Sequence, residues 1–93
     1  MSLYLVSCEF SSGSEGCQKF DEQLVTLSAV QILSCAWLVK YNQGKAKKLR
    51  DFLSPYLDTG DRLLVQEVTK EVIGTNLLIG DSALHDLLGS ARG

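Results

Sequence analysis

Apolar positions along this chain fall into short strand-like runs separated by stretches with a helical period. Residues 3–10 (Leu-Tyr-Leu-Val-Ser-Cys-Glu-Phe) have strand length and are rich in β-branched and aromatic side chains. Residues 11–16 hold three serines and two glycines, which compete with regular backbone structure, and read as a loop. From about Cys17 the period changes: Phe20, Leu24 and Leu27 recur at i, i+4 and i+7, with Asp21 and Glu22 early, where the helix dipole favours acids. Residues 29–33 and 36–41 are two further strand-like runs, parted by Ser34 and Cys35 as in a hairpin. A second helix follows, with Asn42 as its cap, Leu49, Phe52 and Leu53 as its apolar stripe, and Pro55 ending it near Ser54. Residues 58–61 (Asp-Thr-Gly-Asp) read as a turn and residues 62–68 as a strong strand. Beyond Val72, residues 77–79 read either as a short strand or as an approach segment, and Asp81 caps a last helix that Gly89 stops after Leu88.

The order strand, helix, strand, strand, helix, strand is the split βαβ pattern of an α+β, ferredoxin-like βαββαβ domain, with an antiparallel sheet and a C-terminal tail from about residue 72. Right-handed crossovers place the first and last strands side by side, with the second hairpin strand on the first strand's other flank. An antiparallel sheet with one wet face alternates apolar and polar residues. Here Leu3 and Leu5 point one way, Tyr4, Val6, Cys8 and Phe10 the other, and Leu63 and Val65 oppose Leu64 and Val68. Both faces of the sheet therefore need a cover, and two helices supply only one. A second copy of the sheet is the simplest second cover, which makes a homodimer through the sheet face the expected assembly; the tail is the alternative.

At 93 residues the chain is one domain, residues 1–93, with limited capacity to bury a core. Its three cysteines, Cys8, Cys17 and Cys35, have no metal-ligand spacing and no even pairing. With neither a signal-peptide pattern nor an apolar run of membrane-spanning length, the expectation is a cytoplasmic protein without a membrane partner. Net charge is −2, which opposes general attraction to polyanions. Yet five of the nine basic residues (Lys40, Lys45, Lys47, Lys48 and Arg50) lie between positions 40 and 50 with no acid among them, and local patches steer partners more than totals do.

A first strand reading Tyr-Leu-Val-Ser-Cys-Glu (4–9), a hairpin strand reading Trp-Leu-Val-Lys (37–40), a Lys/Arg-bearing helix and the run Leu-Asp-Thr-Gly-Asp-Arg-Leu-Leu-Val-Gln-Glu-Val-Thr (57–69) together resemble small proteins related to the CRISPR spacer-acquisition dimer and to VapD-type toxins, a group that includes SinR-labelled bacterial proteins. The resemblance spans Leu3 to Thr69. It implies a ferredoxin-like homodimer packed through sheet faces and an association with DNA or RNA, as a metal-dependent nuclease or as a non-catalytic scaffold. Where such proteins are nucleases, the resemblance implies an aspartate after an aromatic at the end of the first strand, shared across the dimer axis through a divalent ion. This chain has Cys8-Glu9 there.

Two sites follow. Glu9 is the candidate catalytic and metal-binding carboxylate, for magnesium or manganese, with Glu67 on the neighbouring strand as the natural second ligand; such ions need carboxylates in strict geometry. The simpler role for a carboxylate at a strand end is solvation or pairing with a base. Lys45, Lys47, Lys48 and Arg50 are the candidate nucleic-acid contacts, against the alternative of an ordinary solvated helix face. Ser82, His85 and Asp86 share the residue types of a hydrolase triad but sit on one helical segment, which does not provide the triad's spatial roles. Trp37 and Tyr41 share a strand face and are assigned to core or interface. The leading expectation is a non-catalytic, nucleic-acid-associated dimer. A metal-dependent endonuclease built on Glu9 and a protein-interaction or regulatory module are the alternatives, because this fold hosts many functions.

Overall fold

A computed structural model describes residues 2–11, 16–69 and 72–92, with side chains at all of these except 16–17, 81 and 90–92. The elements are β1 (Ser2–Glu9), α1 (Gly16–Thr26), β2 (Val30–Leu33), β3 (Ala36–Tyr41), α2 (Ala46–Leu53) with a 3-10 turn at Ser54–Tyr56, β4 (Arg62–Val68) and α3 (Asp81–Arg92). The four strands form one antiparallel sheet in the order β2-β3-β1-β4. This is the ferredoxin-like α+β arrangement, with β1 paired to β3 on one edge and to β4 on the other.

Register decides which residues share a face. Tyr4 opposes Val39 and Glu67, while Leu3 opposes Lys40 and Val68. The first face carries Tyr4, Val6, Cys8, Trp37, Val39 and Tyr41, and is closed by Phe20 and Leu24 of α1 and Leu49 and Leu53 of α2. Tyr4 and Tyr41 meet edge to face with ring centroids 6.3 Å apart, and Phe10 and Phe20 do so at 5.5 Å, a geometry the ring quadrupoles favour. Trp37 belongs to this core, although its indole N–H finds no hydrogen-bond acceptor among the described residues.

The second face carries Leu3, Ile32, Ala36 and Leu38, and here the outcome differs from the assignment to a second copy. Leu84 of α3 is buried against these residues, and Leu77, Ile79, Leu87 and Leu88 pack beside them. The chain's own C-terminal segment is the cover, so the helices lie on both faces of the sheet. Residues 77–79 are an approach segment rather than a fifth strand, tied down by one bond from the Leu78 N–H to the Ile32 carbonyl at 2.9 Å. The apolar spacing Leu84, Leu87 and Leu88 gives α3 the narrow stripe that such docking requires.

Three local expectations are corrected. Asn42 does not cap α2: Gly44 takes φ +151°, outside the helical region, so the helix starts at Ala46 with Lys45 as an N-cap lacking a side-chain bond. Gly89 does not stop α3, which continues to Arg92. A mid-helix glycine costs about 1 kcal/mol against alanine but breaks no hydrogen bond. Asp81 is the first residue of α3 and not its cap, and its side chain lies outside the described set. The expected turn at 58–61 is present and well anchored. Asp61 Oδ1 accepts bonds from the Ser11 N–H and hydroxyl at 2.8 and 3.0 Å, and Oδ2 accepts from the Asp58 N–H at 2.8 Å. One carboxylate thus ties the exit of β1 to the entry of β4.

Helix α1 ends in a Schellman motif: Ala29 N–H donates to the Leu24 carbonyl and Ser28 N–H to that of Val25, with Ser28 at φ +59°. Glycine is the usual residue at this left-handed position. Ser28→Gly should therefore raise unfolding stability by about 1 kcal/mol in urea titration. Trp37→Ala should lower it by about 3–5 kcal/mol, the range for deleting a buried aromatic. A chain ended at Thr69 lacks the cover over Leu3 and Leu38; it should bind more hydrophobic dye and scatter as a heavier particle than the 93-residue chain at equal concentration. Equal dye binding and equal mass would show that α3 is not what shields this face.

Candidate functional site

Glu9 is the last residue of β1 and Arg62 the first of β4, and the register sets them directly opposite each other. The Arg62 guanidinium donates to Glu9 Oε1 at 2.6 Å, with the two side chains 80% and 69% exposed. A charge-assisted bond this short orients the carboxylate, but exposure to solvent keeps such a pair to about 0–1 kcal/mol. The pair borders an open concavity of about 560 Å³ at this end of the sheet, lined also by Ser7, Phe10, the Ser34–Cys35 turn and Leu64. Sequence reasoning placed Glu9 at a strand end but missed Arg62. The arginine stands 53 positions further along, and only the β1–β4 register brings it to the carboxylate.

Glu67 is not a second ligand. It opposes Tyr4, five residues along the ladder from the Glu9–Arg62 rung and on the other face of the sheet. At the strand rise that is about 17 Å. Among the described residues no group of three or more His, Cys, Asp or Glu side chains converges to hold a metal ion. Magnesium or manganese at Glu9 would have one carboxylate, already engaged by a guanidinium, against the near-octahedral oxygen environment these ions demand.

Lys45, Lys47, Lys48 and Arg50 are all exposed, along the outer side of α2 whose inner side buries Leu49 and Leu53. Gly44 contributes to their arrangement, because a Cβ there would collide with the stem of Lys48 laid across the helix start. Arg50 is engaged locally, donating to Asp51 at 2.8 Å with both side chains about half exposed. Among the described residues, no carboxylate lies within 4.0 Å of the Lys45, Lys47 or Lys48 ammonium as an ion pair. The structure does not bring this cluster to Glu9. α2 enters from the Tyr41 end of β3, which pairs with Ser2, so Lys45 sits toward the end of β1 opposite Glu9. Seven residues of strand separate those ends, about 23 Å.

Of the remaining candidates, His85 and Asp86 are exposed on α3, as is Ser82. No described helix is long and apolar enough to cross a membrane. No family model matches the chain, and neither a curated protein nor a solved structure does so.

Removing the carboxylate charge should have little consequence if Glu9 serves only its arginine. Glu9→Gln should change stability by less than about 1 kcal/mol, and titration calorimetry with manganese should give the same flat trace for wild type and variant. Saturable manganese binding by wild type, lost in Glu9→Gln at unchanged stability, would restore the metal role.

Proposed function

We propose that this protein is a non-catalytic, nucleic-acid-associated domain that meets phosphate backbones through the outer side of α2. The observation that carries the reading is the run Lys45, Lys47, Lys48 and Arg50, solvent-exposed on one short helix with Asp51 as the single acid within it. Each lysine presents a mobile ammonium on a flexible stem, suited to phosphate as a point charge. No aromatic side chain is interleaved with the basic run 45–50, so base stacking is not part of the reading, and neither is sequence specificity. The net charge of −2 keeps attraction local to this patch.

The engagement of Glu9 by Arg62 and its distance from the cluster favour this over the metal-dependent nuclease alternative. A protein-interaction or regulatory role without nucleic acid is the remaining reading, and the same patch would then serve an acidic partner. A homodimer, expected from the sequence as the closure of the second sheet face, would have to use what α3 leaves open, chiefly Leu64 at 57% exposure and Leu33 at 43%. The reading does not depend on it. A cytoplasmic location accords with it, and no membrane partner is invoked.

Fluorescence-anisotropy titrations with single- and double-stranded DNA and RNA across a salt series test the proposal. Wild-type affinity should fall steeply with salt. The double variant Lys47→Gln/Lys48→Gln should reduce the slope of log affinity against log salt by about 2, because each lost phosphate contact spares a counterion. Arg50→Gln should reduce it by less, since Asp51 already engages that guanidinium. An unchanged slope in the double variant would place the contact surface elsewhere, and no binding to any of the four would turn the assignment to the interaction module.

A further inference from the structure

We propose that Cys8 and Cys35 form a thiol–disulfide exchange pair that reacts with small disulfides of the glutathione class. β1 and β3 pair with Ser7 opposite Ala36, and the next step along the same register sets Cys8 opposite Cys35. The backbone makes that step. The Cys8 N–H donates to the Cys35 carbonyl at 2.9 Å, and the Cys8 thiol points at the same oxygen at 3.6 Å. Residues directly opposite each other on antiparallel strands hold their Cα atoms about 4.5–5.5 Å apart, inside the roughly 4.4–6.8 Å that a disulfide spans.

The two thiols differ in access, and that assigns their order of reaction. Cys8 is only 5% exposed at the edge of the core, whereas Cys35 is exposed in the two-residue turn between β2 and β3. Both border the concavity that holds the Glu9–Arg62 pair, whose opposite charges suit the carboxylates and ammonium of a small peptide disulfide.

In the first step the Cys35 thiolate attacks one sulfur of the small disulfide. A Cys35 mixed disulfide forms and one small thiolate leaves. In the second step the Cys8 thiolate attacks the Cys35 sulfur, the second small thiolate leaves, and the Cys8–Cys35 bond closes. Two protein thiols are oxidised, one small disulfide is reduced to two thiols, and the protons released by the cysteines are taken up by the leaving thiolates through solvent. Each exchange step runs in either direction according to the ratio of small thiol to small disulfide in solution. The bond is thus reversible, and when formed it clamps the β2–β3 turn to the end of β1 beside the ion pair.

The test equilibrates the whole protein in glutathione buffers from fully reduced to fully oxidised, followed by acid quench, alkylation and peptide mapping without reduction. Glutamyl endopeptidase cuts after Glu9 and Glu15, and trypsin after Lys19 and Lys40, so Cys8, Cys17 and Cys35 fall on separate peptides. Wild type should yield a Cys8–Cys35 linked peptide that rises with the oxidised fraction and disappears on return to reduced glutathione. Cys35→Ser should leave Cys8 alkylated and unlinked. Cys8→Ala should accumulate the Cys35–glutathione adduct about ten-fold over wild type, because the resolving thiol is gone. The wild-type and Cys35→Ser arms leave the core intact and decide the matter even if Cys8→Ala unfolds. A stable Cys35–glutathione adduct in wild type without the link, a link from Cys35 to Cys17, or three thiols that stay reduced throughout would each overturn the proposal.

Discussion

Strand β1 is paired along both edges and apolar on both faces, and the remaining elements are placed by the need to satisfy it. Its edges take β3 and β4, which completes its backbone hydrogen bonds. Tyr4, Val6 and Cys8 on one face require the α1–α2 layer, and Leu3 and Leu5 on the other require α3. Each large apolar side chain removed from water contributes about 1.5–3 kcal/mol, so leaving either face bare would remove a large share of the stability available to so short a chain. A three-layer arrangement, helices on both sides of one sheet, is how 93 residues bury both faces without a second molecule.

That closure also determines where anything else can bind. α3 protects the centre of its face but stops short of the β4 side, where Leu64, Gln66 and Arg62 remain exposed. The open end of the sheet gathers the Glu9–Arg62 pair, the Ser34–Cys35 turn and the concavity between them. At the far end, α2 turns its charged side outward. The described residues therefore offer surfaces of different chemistry, a cationic helix side and a concavity with thiols, an ion pair and apolar walls. Among the described residues of one chain, the basic side of α2 and the Glu9 carboxylate do not meet in a single site.

Much of the architecture was legible in the residue pattern. Short apolar runs rich in β-branched and aromatic residues located all four strands to within a residue or two at their ends, and the strand–helix order with right-handed crossovers led to the β2-β3-β1-β4 sheet. The apolar stripes found α1 and α2, and cap and stop residues pointed to α3. Errors lay at the helix ends, where backbone geometry outweighs residue preference. Asn42 has the chemistry of a cap, but the turn at Gly44 keeps the chain out of the helix for three more residues. Gly89 has the chemistry of a stop, but it is also compatible with helical backbone, and α3 runs through it to Arg92.

The basic run of α2 was legible for the same reason as its apolar stripe, since residues close in sequence share a helix face through a fixed period. Glu9 and Arg62, or Cys8 and Cys35, are different in kind: each pair is distant along the chain and meets only through strand register, and a slip of one residue would turn every partner to the other face. The apolar pattern of β1 stated that a second cover must exist, because both faces of the strand exclude water. It could not say whether another copy or the tail would supply it. That choice fell to the tertiary structure, because Leu84, Leu87 and Leu88 are already tethered to the sheet they cover, and an intramolecular contact forgoes the translational entropy that a second molecule must lose.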